Sequence, residues 1–216
     1  MKKYFFNSLL AVFFLAGLMA LPSNGISHPR DKVQFTFRQE GDQYNFNGTF
    51  AVDSDQQTAW NVLTDYNHFS KFISNMNCHV RQQDGNDLLV EQTVGGGFLF
   101  IREEVKGLLK VHEEPLSVLS LREVSQKHFQ VYQGVWKIQP DPTAKTMKIT
   151  YDLEAQKNLR TPHFVTADLF RQSSEDLMVE MKKEIERREA KIRAAVPRGK
   201  KEPVGSMVQA SGLAAR

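Results

Sequence analysis

The chain of 216 residues holds one cysteine, Cys78. No intramolecular disulfide can form, so the fold must rest on its core. The thiol has no sequence-local helper either. His79 adjoins it, but neighbouring residues of a strand point to opposite faces, so Cys78 reads as a small buried group. Histidine lacks any ligand pattern: His68, His79, His112, His128 and His163 are scattered, with no spacing such as H-E-x-x-H. No metal and no cofactor are expected. There is no G-x-S-x-G elbow, and no G-x-G-x-x-G that follows a strand and opens a helix. These absences leave no catalytic set legible in the sequence.

Long apolar runs are also lacking, with one exception. Leu9 to Leu21, "LLAVFFLAGLMAL", follows Met1-Lys2-Lys3 and is broken by Pro22, with Ser23 and Gly25 as small residues beyond it. That order is the pattern of a secretory signal peptide covering residues 1–25. Export, to a bacterial periplasm, is therefore expected, with the body starting near Ile26. The alternative is an uncleaved anchor, but the run is shorter than the roughly 20 residues a spanning helix needs. An excess of one charge is missing too. Of the net charge of +3, Lys2 and Lys3 supply +2 and the residues after Ala190 supply +5, which leaves the body at −4. A mildly acidic body argues against a nucleic-acid partner. Residues 196–216 carry Pro197, Gly199, Pro203 and Gly205 and no apolar period, so they read as a flexible basic tail. The tail serves as a solubilising end or touches an anionic lipid surface.

What is present is alternation. Val33 to Phe37 and Tyr44 to Val52 alternate around Glu40-Gly41-Asp42, which predicts a hairpin. Asp53-Ser54-Asp55-Gln56 then predicts a helix start, with Asp53 as cap and Gln56 reaching back. Ala59, Val62, Leu63 and Tyr66 share one helical face, and a second short helix is expected over His68 to Ile73. From Cys78 to Ala155 the period is two. Six strands are expected there, with short connections, hence an antiparallel meander. Thr161-Pro162 predicts the start of a long helix. Its stripe runs Phe170, Ser174, Leu177, Met181, Ile185. The small polar Ser174 interrupts that apolar line. Either the sheet comes so close that only a small side chain fits, or it stands away and leaves a gap. One sheet and one amphipathic helix suggest an α+β fold in which a curved antiparallel sheet wraps the helix.

The stretch "VEQTVGGGFLF", Val90 to Phe100, places three glycines between strands. A phosphate cradle would feed a helix N-terminus, whereas these feed a strand. A hairpin tip, a bulge or clearance for a ligand fits better. The same region carries a family resemblance. "AWNVLTDYNHFSKFI", "LLVEQTVGGGFLF", "EEVKGLLKVHEE" and "FQVYQGVWKI", with its Gly134-x-Trp136 pair, resemble the polyketide cyclase/dehydrase and coenzyme Q-binding members of the START-like superfamily, from about Tyr44 to Ala190. The resemblance implies a helix-grip fold of the START/Bet v 1 kind over residues 26–195, with a hydrophobic cavity between sheet and C-terminal helix.

Candidate cavity residues are Trp60, Tyr66, Phe72, Phe100, Trp136, Tyr151, Phe170, Ser174 and Leu177. Asp65 caps the second short helix while Tyr66 packs below it, or Tyr66 offers its hydroxyl at the cavity mouth. Arg102-Glu103-Glu104 reads as an exposed charge row, because buried charges need partners. The expected function is an exported binding protein for a hydrophobic small molecule, such as a lipid or an isoprenoid quinone. The alternatives are a cyclase- or dehydratase-like enzyme using the same cavity, and an envelope interaction protein with a filled core.

Overall fold

The computed structural model describes residues 33–96, 103–144 and 146–195. The expected signal segment (1–25) and basic tail (196–216) lie outside the described residues, as do Gly97, Phe100 and Arg102. Eight strands form one antiparallel sheet: β1 (Gln34–Glu40), β2 (Gln43–Val52), β3 (Met76–Asp84), β4 (Asp87–Gly96), β5 (Glu103–Glu114), β6 (Val118–Glu123), β7 (Phe129–Asp141) and β8 (Thr146–Lys157). Their order is β1-β2-β8-β7-β6-β5-β4-β3, so β3 to β8 are a meander and the first hairpin adds on the β8 side. The sheet is curved and unclosed, as expected of the helix-grip fold. Register shifts at Val80/Gln82 and Phe129/Val131 mark extra residues that bend their strands.

Alternation decides the inner face. Tyr44, Phe46, Phe50 and Val52 of β2, and Ile149, Tyr151, Leu153 and Ala155 of β8, are all buried, while their neighbours are exposed or half-buried. Helix α2 (Ala167–Ala195) lies across that face and buries Phe170, Ser174, Met178, Met181 and Ile185. Sheet and helix meet closely at Gly48 of β2, where a Cβ would stand 2.7 Å from Met178 Cε.

Helix α1 (Gln56–Leu63) starts two residues later than expected. Asp55, not Asp53, is the cap, its carboxylate accepting from Thr58 N at 2.5 Å. Asp53 instead receives Arg193 of α2 at 2.9 Å, and Gln56 donates to the Leu116 carbonyl at 2.8 Å. A 3₁₀ helix, Tyr66–Lys71, follows. The Asp65 side chain caps no backbone N–H of that helix; it binds the His68 ring and accepts from Arg188, both at 2.6 Å. The long helix also starts later than Thr161-Pro162 predicts. Thr166 caps it by accepting from Leu169 N at 3.2 Å. Thr161 is engaged elsewhere, closing a turn on Asn158 and binding the His128 carbonyl.

Candidate functional site: a cavity at one end of the sheet

The strand ends divide the molecule in two. At one end lie the turns at 84–87, 114–118 and 141–146, together with α1. At the other lie the start of β3, the end of β4, the start of β5, the β6–β7 loop and the β8–α2 loop. An internal space of about 110 Å³ opens at this second end. A buried water needs about 10–15 Å³ by the same measure, so the space equals roughly seven to eleven waters. Its floor is the inner face of the sheet, from Val94 of β4 through Val105 and Leu109 of β5 to Tyr132 of β7 and Leu153 of β8. Its roof is α2, through Leu169, Phe170, Ser173, Ser174 and Leu177. Phe164 and Val165, in the loop before α2, close one side.

The wall is mostly apolar with a few polar groups. Ser174 donates to the Phe170 carbonyl at 2.8 Å, so its hydroxyl is satisfied by its own helix. Gln92 stands on the inner face of β4, in step with Leu88, Val90 and Val94. Its amide donates to the Met76 sulfur at 3.5 Å and also meets the Cys78 thiol. Burial pushes the Tyr132 hydroxyl up to about 12 and lifts Tyr151 well above its ordinary value. Both stay protonated donors at neutral pH. His128 shares its Nδ1 with the Arg160 carbonyl at 3.2 Å. A carbonyl only accepts, so Nδ1 carries the proton and Nε2 of the neutral ring is an acceptor. Glu123, also on the wall, receives the backbone N–H groups of Leu108, Ser125 and Gln126 at 3.3, 2.8 and 2.6 Å. It holds the β6–β7 loop in shape.

The candidates from sequence separate cleanly. Phe170, Ser174 and Leu177 stand on the cavity wall. Trp60, Tyr66, Phe72, Trp136 and Tyr151 do not, and the reason is packing. Trp136 stacks on Tyr151 with centroids 4.1 Å apart, and both are buried, as is Trp60 in α1. Tyr66 donates to Glu113 at 2.7 Å, so its hydroxyl is answered by the protein. Phe72 lies under the Arg188 guanidinium at 5.3 Å. Cys78 is buried and its thiol is pushed up to about 12 by that burial, while His79 is exposed. Glu104 is exposed beside Lys106 at 3.8 Å. Gly95 and Gly96 pair with Glu104 and Glu103 at the end of β4. Gly95 lies on the cavity wall, without a left-handed φ. Gln92, His128 and Tyr132 were missed. Alternation alone marks Gln92, since it repeats the inward phase of Val90 and Val94. The bulge at the start of β7 obscures the phase of Tyr132.

A larger groove of about 630 Å³ crosses the outer face of the sheet. Arg38, Lys110, Arg122, Asp152 and Glu154 line it, so it is a charged, open surface, whereas the inner cavity is apolar and roofed. Among the described residues no cluster of His, Cys, Asp and Glu suits a metal ion, and no helix is long and apolar enough to cross a membrane.

A model of the polyketide cyclase/dehydrase and lipid transport family matches residues 52–182. No curated protein sequence matches the chain. Among solved structures, human STARD10 is 17% identical, covers 79% of this chain and 76% of its own, and superposes with a TM-score of 0.56. The Zhui aromatase/cyclase from Streptomyces sp. R1128 is 14% identical, with 71% and 98% covered and a TM-score of 0.55. A STAR-related lipid transfer protein from Xanthomonas axonopodis is 14% identical, with 74% and 93% covered and a TM-score of 0.52. At these identities the likeness is one of fold.

Proposed function

This chain belongs to the polyketide cyclase/dehydrase and lipid transport family, and from that premise we propose that it is an exported carrier for a hydrophobic small molecule held beneath α2. The observation that carries the reading is the roofed apolar space between Leu153, Val105 and Leu109 below and Phe170 and Leu177 above. Each methylene moved there from water gains about 0.8 kcal/mol. Gln92, Ser173 and Tyr132 supply the few polar contacts that orient a bound molecule. The volume suits one lipid tail, a short isoprenoid segment or a small ring system rather than a two-chain lipid. Export rests on the N-terminal sequence pattern, and N-terminal sequencing of envelope-derived protein tests it: intact Met1 would contradict cleavage.

Native mass spectrometry of the purified protein, followed by solvent extraction, tests the carrier reading. A co-purifying apolar molecule, or uptake of a fluorescent hydrophobic probe, is expected. A chain that carries nothing and takes up no probe would instead be an interaction protein without a ligand. One observation favours a second, catalytic reading: His128 stands on the wall, its Nδ1 held against the Arg160 carbonyl at 3.2 Å. Conversion of a polyketide-like substrate, lost in His128→Gln with probe binding intact, would establish it.

A further inference from the structure

We infer that the loops at the cavity end dock on an anionic lipid bilayer, with Leu159 as the inserted side chain. The inference rests on the carrier reading for its purpose, but on separate observations for its site.

Leu159 is fully exposed, at 106%. It occupies the first central position of a turn in which Thr161 N donates to the Asn158 carbonyl at 3.1 Å. Asn158 Oδ1 also accepts from Arg160 N at 2.7 Å, and Thr161 Oγ1 accepts from Asn158 N at 3.0 Å. Turn geometry asks for Gly, Pro, Asn, Asp or Ser at such places. Nothing in this turn requires leucine, and water disfavours it. The turn is tied to the β6–β7 loop. Asn158 Nδ2 donates to the Gln126 carbonyl at 3.1 Å, His128 donates to the Arg160 carbonyl at 3.2 Å, and Thr161 Oγ1 binds the His128 carbonyl. The leucine therefore projects from a braced platform. Val124, 40% exposed, stands on the second loop.

The platform is basic. Lys127 and Arg160 are exposed, and among the described residues neither has an ion-pair partner. Glu123, the acidic group of the loop, turns its carboxylate onto backbone N–H groups. An apolar tip flanked by free cations complements anionic headgroups above acyl chains. It complements an acidic protein surface less well, because such a surface offers no apolar layer for Leu159. The position also fits, since His128, Phe164 and Val165 of the same two loops line the cavity. A docked platform places the cavity end at the membrane, where a hydrophobic cargo enters or leaves.

The test is flotation of the full chain with vesicles of phosphatidylcholine alone and of phosphatidylcholine containing phosphatidylglycerol, beside hydrophobic-probe titration in vesicle-free solution. Binding to the anionic vesicles, weakening as salt rises, is expected. Leu159→Asp should lower it about tenfold or more. Lys127→Glu with Arg160→Glu should lower it at low salt. Leu159→Asp should leave probe uptake unchanged. Vesicle binding that survives Leu159→Asp would overturn the inference and assign binding elsewhere, such as to the basic residues after Ala190. Loss of probe uptake in Leu159→Asp would overturn it too, because Leu159 would then serve the cavity itself. If the wild type takes up no probe but loses vesicle binding with Leu159→Asp, the carrier reading fails and the docking surface stands.

Discussion

The two ends of the sheet–helix pair use similar residues to opposite effect. At the α1 end the interior is full. Trp136 stacks on Tyr151, and Ile149, Met178, Met181 and Ile185 are almost wholly inaccessible. A Cβ at Gly134 would meet the Tyr151 ring at 2.9 Å. At the loop end the same helix stripe continues as Phe170, Ser174 and Leu177, yet it faces open space. A Cβ at Gly95 there would meet nothing nearer than Asn75 at 3.7 Å, an ordinary contact. The fastening differs as well. The far half of α2 is held by charges: Glu184 receives Arg187 and Arg188, Arg188 reaches Asp65, and Glu189 receives Arg193 and the Ser54 hydroxyl. In the near half Arg171 pairs within the helix, with Glu175 at 2.9 Å and Asp168 at 3.8 Å. One end anchors the helix while the other is left room to admit a guest.

The sharpest way to break this contrast is Trp136→Ala. It should cost about 3–5 kcal/mol, as loss of a large buried ring does in a packed core, read as the shift of a urea midpoint. Leu177→Ala, on the cavity wall, should cost clearly less and change probe affinity instead. Equal costs would mean that the two ends are packed alike. Gly134→Ala comes next. The added methyl has no room against a buried, stacked tyrosine, so a loss of about 1–3 kcal/mol is expected. Gly95→Ala should be nearly neutral in the same melts.

Ser174→Phe separates the readings of the interrupted stripe. In the cavity its ring has space, so stability should change by less than about 1 kcal/mol while probe affinity falls about tenfold. A loss of several kcal/mol would mean that helix and sheet touch there. The smallest effect concerns the charged fastening. The Arg187 hydrogen bonds, helped by Arg188, hold the Glu184 carboxyl below its ordinary value despite burial. Burial alone would raise Asp65, but Arg188 and His68 outweigh it, so its carboxyl is lowered too. Carboxylates held low contribute stability above the unfolded-state value of about 4, and lose it as pH falls through the folded value. The melting temperature of the wild type should exceed that of Glu184→Gln at pH 7, and the gap should close towards about pH 3. A gap independent of pH would show that the pair is structurally idle as a charge.

Much of this contrast was written in the chain, and some was not. Ser174 could be found because it breaks a helical period, and Gln92 could have been, because it breaks an alternating one. Trp136 and Tyr151 were misplaced for a physical reason. An inward aromatic has the same sequence signature whether the opposing layer touches it or stands off. Thr161 and Asp53 were misread as caps because each has the right chemistry. A residue further along, Asp55 or Thr166, offered the same chemistry, and long-range partners, His128 and Arg193, claimed the first choice.

The element order, the inner face of the strands away from the two bulges, most of the buried stripe of α2 and the burial of Cys78 can be read from the chain, because they follow from periods of two and 3.6 and from short connections. The tertiary structure alone decided where the space lies. Curvature is the sum of small twists and bulges over eight strands, and a cavity is the difference between that curvature and the volume of side chains drawn from distant segments. No local pattern encodes such a difference, so Leu177 faces a cavity and Met178, one residue on, faces a wall.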